Sequence, residues 1–168
     1  MPVENLNVFE DDFWAINEKL NQVLKSTNCL SVMLIDKAGQ LITTAGDISQ
    51  LDTTSFSSLC AADFAATSQL AMLVGEKEFA TLFHQGEKQN IYIASIEDRV
   101  MLAVVFDTRT TLGLVRVRVK QLVAELSKMF VEIFAKLEGG GPGGQQAGSN
   151  LGSDFASEAE SELDNLFK

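Results

Sequence analysis

His84 is the single histidine in a chain of 168 residues. A general base or a metal site needs other groups converging on the imidazole. The stretch "LFHQGE" offers it only Glu87 nearby. Cys29 and Cys60 stand alone inside apolar runs, without the C-x-x-C spacing of redox or zinc sites. They read as buried free thiols, with a disulfide as the alternative. "GGGPGGQQAGS" has the glycines of a phosphate-cradling loop but neither its lysine nor a preceding strand. No nucleophile–base pair emerges, so the residues point to a binding protein rather than an enzyme, with no cofactor and no metal.

What could be bound is narrowed by charge. The net charge is −10. From Gly139 onward the chain holds Asp154, Glu158, Glu160, Glu162 and Asp164 against Lys168, a balance of −4, which leaves −6 for the body. Acidic surfaces repel phosphate backbones and anionic lipids, so nucleic acid and membrane are disfavoured, while a basic protein face stays open. No apolar run approaches a membrane span, and the N-terminal residues read as carrying no export signal.

The elements that must position a binding surface follow from periodicity. Phe9, Phe13, Ile16, Leu20 and Val23 or Leu24 recur at helical spacing, predicting a first helix over 9–26. "CLSVMLIDKAGQLITTAG" reads as two strands around Gly39. A second helix is expected over 53–74, capped by Asp52 or Thr53 and ended by Gly75. "FATLFHQ", "NIYIASI" and "VMLAVVF" read as a three-strand meander. "VRVRV" alternates like a strand. Yet Leu112, Val115, Val119, Leu122, Leu126, Met129, Ile133 and Leu137 keep a helical rhythm, and the longer pattern predicts one long helix. The order α-β-β-α-β-β-β-α, with a five-stranded antiparallel sheet and helices on its faces, is an α+β layer fold. It would occupy residues 1–137. A glycine-rich linker over 138–153 and an acidic amphipathic segment over 154–168, read as a short helix, would follow.

Two surfaces stand out. On the second helix Leu59, Ala62, Ala66, Leu70 and Leu73 form the expected core stripe, and Ala61, Ala65, Ser68, Gln69 and Met72 form a small, uncharged stripe on the far side. From Thr53 to Gly75 the only charge is Asp63. A solvent-facing helix usually carries several, so this one has neighbours on more than one side, through association or inside one domain. At the chain's tip Phe155, Leu163, Leu166 and Phe167 return at helical spacing. They read either as anchors for an apolar groove or as part of a solvated end.

The segments "LIDKAGQLITTAG", "LDTTSFSSL", "LVGEKEF" with "FHQGEK", "VFDTRTTLGLVRVRVK" and the terminal "ELDNLF" together resemble the Roadblock/dynein-light-chain family, and within it the bacterial MglB branch. The resemblance runs from about Phe9 to Leu137 and resumes at the tip. It implies a cytoplasmic homodimer, with a place at a cell pole, in cell polarity and gliding motility. Its partner would be an MglA-like, Ras-like small GTPase in the GTP form, one per dimer, whose hydrolysis it stimulates without an arginine finger. By the same resemblance Ala61, Ala65, Ser68, Gln69 and Met72 would dock the GTPase. Phe79, Leu82 and His84 on an edge strand, with Thr67 and Ala71, would meet the dimer mate. Phe155, Leu163, Leu166 and Phe167 would make a second contact affecting nucleotide exchange. Of the four arginines, Arg99, Arg109, Arg116 and Arg118, none falls on the second-helix stripe, and all read as structural or peripheral. Alternatives are a Roadblock scaffold that leaves hydrolysis unchanged and a small-molecule sensor; against the sensor, no polar constellation converges on a pocket.

Overall fold

The computed structural model describes residues 3–139, with side chains from Glu10 to Lys136. The expected linker and tip segment lie, apart from its first residues, outside the described residues. The element order is α1 (Val3–Thr27), β1 (Ser31–Asp36), β2 (Leu41–Gly46), α2 (Thr53–Leu73), β3 (Thr81–Gln85), β4 (Asn90–Ile96), β5 (Val100–Phe106) and α3 (Leu112–Gly139). This is the predicted order. α1 begins earlier than its apolar rhythm indicated, and β3 begins after Phe79.

All pairings are antiparallel, in the order β2-β1-β5-β4-β3. Alternation along the central strands sends side chains to two separate clusters. Val32, Leu34, Leu102 and Val104 pack with Ile16, Leu20 and Val23 of α1 and with Val115, Val119, Leu122 and Leu126 of α3. Met33, Ile35, Ile93, Met101 and Ala103 point the other way, onto Cys60 and Phe64 of α2. The sheet is therefore sandwiched, with two helices on one face and α2 on the other.

The "VRVRV" ambiguity is resolved by burial. A strand would place positions 115, 117 and 119 on one face; a helix groups 115 with 119 and turns 117 away. Val115 and Val119 are buried, while Val117 is 55% exposed. Between α1 and α3, Lys19 Nζ meets Glu125 Oε2 at 2.6 Å, one polar contact linking two helices already packed on the same sheet face.

α2 is capped by Asp52, whose carboxylate accepts from the Ser55 amide, and Gly75 follows it with φ +83°. Gly39, at φ +87°, turns the β1–β2 hairpin directly beneath α2; a Cβ there would lie 2.9 Å from the Ser58 backbone. Glycine thus permits both the turn and the close approach of the helix.

One expectation fails here. Leu59, Ala62, Ala66, Leu70 and Leu73 do not face the core. They are exposed, Leu73 to 82%, and the buried residues of α2 are Ser57, Cys60, Phe64 and Ala71. The reason lies in the composition. α2 is apolar nearly all round, so its pattern marks several stripes equally. The stripe that turns inward is the one carrying Phe64, which joins Ile93 and Met101 in the cluster beneath α2.

Candidate docking surface on the second helix

The outward side of α2 presents Leu59, Leu70 and Leu73, all more than half exposed, beside the exposed alanines Ala62 and Ala66. Single exposed leucines need no explanation, but a contiguous apolar face on one helix marks an interaction site. It adjoins β3, which pairs with β4 on one side and leaves its other side as a sheet edge. Free edges template pairing with another chain.

Side chains of β3 tie the edge to both faces. Phe83 stacks on Phe106 at 6.2 Å on the α1/α3 face. Leu82 packs on the α2 face. His84 reaches the Asp63 carboxylate at 2.5 Å, joining the edge strand to the one charge of α2. Between them lies an apolar groove of about 270 Å³ lined by Phe56, Leu59, Cys60, Asp63, His84, Ile91 and Ile93.

The other flank of α2 carries the small stripe. Ala65, Gln69 and Met72 are exposed and Ala61 and Ser68 half-buried. Ser68 donates to the Phe64 carbonyl at 2.9 Å, so its hydroxyl is already satisfied. Ala61, Ala65, Ser68 and Gln69 wall a second cavity of about 270 Å³, whose remaining lining includes Lys37, Glu78, Asp98 and Arg99. A hydrogen bond with Asp98 raises the Glu78 carboxyl above its ordinary pKa, with burial and the Asp98 charge acting the same way. The β4–β5 turn that delivers Asp98 holds Glu97 at φ 51° and Asp98 at φ 55°.

The predicted seam residues divide. Phe79 and Leu82 are half-buried and His84 exposed. Thr67 is half-buried, its hydroxyl donating to the Asp63 and Phe64 carbonyls. Ala71 is a correction: it has no exposure at all and belongs to the protomer's interior. It sits one turn beyond Thr67 on the inward side, where a second copy cannot reach it. The residues that sequence reasoning misplaced, Leu59, Leu70 and Leu73, are the larger part of the exposed face. The scarcity of charge on α2 was the signal that could have found them.

The remaining candidates resolve individually. Arg109 folds back on Asp107 at 3.0 Å, and the Arg99 guanidinium lies over the Phe134 ring of α3, 4.4 Å from its centroid, although the residue itself also lines the cavity beside Ala65. Arg116 and Arg118 are exposed on α3, which packs on the opposite face of the sheet from α2. Cys29 and Cys60 are buried free thiols, not a disulfide. Burial, then the Asp63 charge, pushes the Cys60 thiol up to about 11. Among the described residues, no three or more His, Cys, Asp or Glu side chains converge as a metal site would require.

The Roadblock/LC7 domain family matches residues 15–106, more than half of the chain. The chain belongs to the Roadblock/LC7 family. Its MglB-like character comes from solved structures. The Myxococcus xanthus MglB is 46% identical with a TM-score of 0.69, the match covering 71% of this chain and 90% of that one. The MglB gliding protein of Thermus thermophilus is 27% identical with a TM-score of 0.68, covering 72% and 92%. An MglB solved in a tetrameric arrangement is also 27% identical, with a TM-score of 0.69, covering 72% and 91%. A search of curated proteins finds no match. No helix of this Roadblock protein, among the described residues, is long and apolar enough to cross a membrane.

Proposed function

We propose that this MglB-like Roadblock protein is a homodimeric regulator of a Ras-like, MglA-type small GTPase. Two copies associate through the β3 edge and the outward leucines of α2, and the paired second helices then present the small stripes as a landing surface for one GTPase in its GTP form. The observation that carries the reading is the exposed, charge-poor face of α2 beside an open strand edge. Support comes from the MglB relatives, one of them solved as a tetramer. Ala61, Ala65 and Ser68 have short side chains, which let a partner backbone approach closely. The dimer accelerates hydrolysis by holding the GTPase's own catalytic groups in place, and a preference for the triphosphate form follows, because only differential binding can shift a conformational equilibrium.

The test mixes the purified protein with the cognate GTPase, loaded with a non-hydrolysable GTP analogue, on size exclusion, and measures GTP turnover separately. The expected result is a complex of two copies with one GTPase and faster turnover. Ala65→Arg should abolish the complex while leaving the dimer and its melting curve intact. Unchanged association in that variant would place the landing surface elsewhere; a complex without faster turnover would make the protein a scaffold.

A further inference from the structure

We propose that the first half of α3 is a second docking surface, made for an acidic amphipathic helix of a protein partner. Between Asp107 and Glu125 the sequence contains Arg109, Arg116, Arg118 and Lys120 and no acid, in a chain whose net charge is −10. With Val115 and Val119 turned into the core, helical geometry sends Val117 straight outward. Arg116 and Lys120 fall on one side of it, and Leu114 and Arg118 on the other. Val117 is 55% and Leu114 39% exposed, so an apolar strip runs between two cationic flanks. On the Arg118 side, Lys19, Gln22 and Ser26 of α1 face Arg118, Gln121 and Glu125 across a cleft of about 170 Å³.

Among the described residues, Arg116, Arg118 and Lys120 have no carboxylate in ion-pair range; Arg118 makes one long hydrogen bond, 3.4 Å, to Gln121. Uncompensated positive charge interleaved with exposed aliphatic groups is complementary to a helix with acids on both sides of an apolar edge. A phosphate polymer has no counterpart for Val117 and Leu114, and the chain's overall charge repels it. The surface lies across the sheet from α2, so it can be occupied while the landing surface there is engaged, and it does not depend on the function proposed above.

The experiment uses the full chain and a fluorescent helical peptide of about four turns, with leucines at three- and four-residue spacing and glutamates on both sides. Saturable binding by anisotropy is expected, weakened about tenfold or more by Arg116→Glu with Lys120→Glu, and weakened also by salt between ~50 and ~500 mM. Val117→Asp should weaken it as well, and the same peptide with lysines for glutamates should not bind. Circular dichroism establishes that each variant is folded. Absence of saturable binding, or binding indifferent to the charge reversals, would overturn the proposal. So would phosphatidylserine vesicles binding the wild type but not the double variant while the peptide fails, which would assign the surface to a lipid.

Discussion

Two buried thiols and one arginine carry the sharpest residue-level expectations. The Cys60 thiol, raised to about 11, and Cys29, raised by its own burial, form thiolate only as pH climbs well past neutrality. Since the thiolate is the reactive form, neither should react with an aromatic disulfide reagent near pH 8 in the native protein. Both should react at once when the chain is unfolded in guanidinium, and a fast native phase at either position would contradict the burial. Arg99 is the arginine that lines the cavity beside Ala65, its guanidinium held over Phe134, so it is the one to replace in testing hydrolysis without an arginine finger. Arg99→Ala is expected to leave the rate within about threefold, whereas loss of a true finger lowers it by orders of magnitude.

At the level of elements, α2 is where folding and the proposed association can be separated. Phe64→Ala removes a ring buried against Ile93 and Met101 and should cost about 3–5 kcal/mol, read as a lowered denaturation midpoint. Leu70→Glu places a charge where the side chain is already more than half exposed. It should leave the fold intact and halve the mass in analytical ultracentrifugation; an unfolded variant would mean that Leu70 supports the protomer itself. The same helix shows where sequence reading runs out. Strand limits at 90–96 and 100–106 were legible, and so was the cap of α2 to within the pair Asp52 and Thr53, because alternation and turn chemistry are local. So was α3, whose rhythm persists far longer than the alternation of "VRVRV". The inward face of α2 was not, since a helix apolar on every side carries no phase information, and only the shape of the sheet beneath it chose Phe64 over Leu70. The small stripe at Ala61, Ala65, Ser68, Gln69 and Met72, proposed as the landing surface, was legible as one flank of α2 whose side chains are exposed or half-buried. Ala71 was not, lying close to it in sequence but on the wrong side of the helix.

For the whole molecule, charge and layering set the pattern of binding. The two hydrophobic clusters meet only through the strands between them, so substitutions on α2 and on α3 should add in their effects on stability, as separated sites generally do. The acidic segment over 154–168 is proposed as a further contact with the GTPase. Deleting 150–168 should preserve the dimer and either weaken GTPase binding or change its nucleotide preference, measured by exchange of a fluorescent nucleotide. Identical affinity and exchange rates in the shortened chain would remove that proposal. The Glu97–Asp98 corner has a practical consequence. Left-handed backbone is costly for ordinary residues and natural for asparagine and glycine, so the hairpin is stitched at a tension it need not bear. Recasting that pair as Asn-Gly should raise the melting point by about a few degrees while erasing one member of the Glu78–Asp98 couple. If nature kept the dearer corner for the sake of that carboxylate, the sturdier version will grip its partner less well.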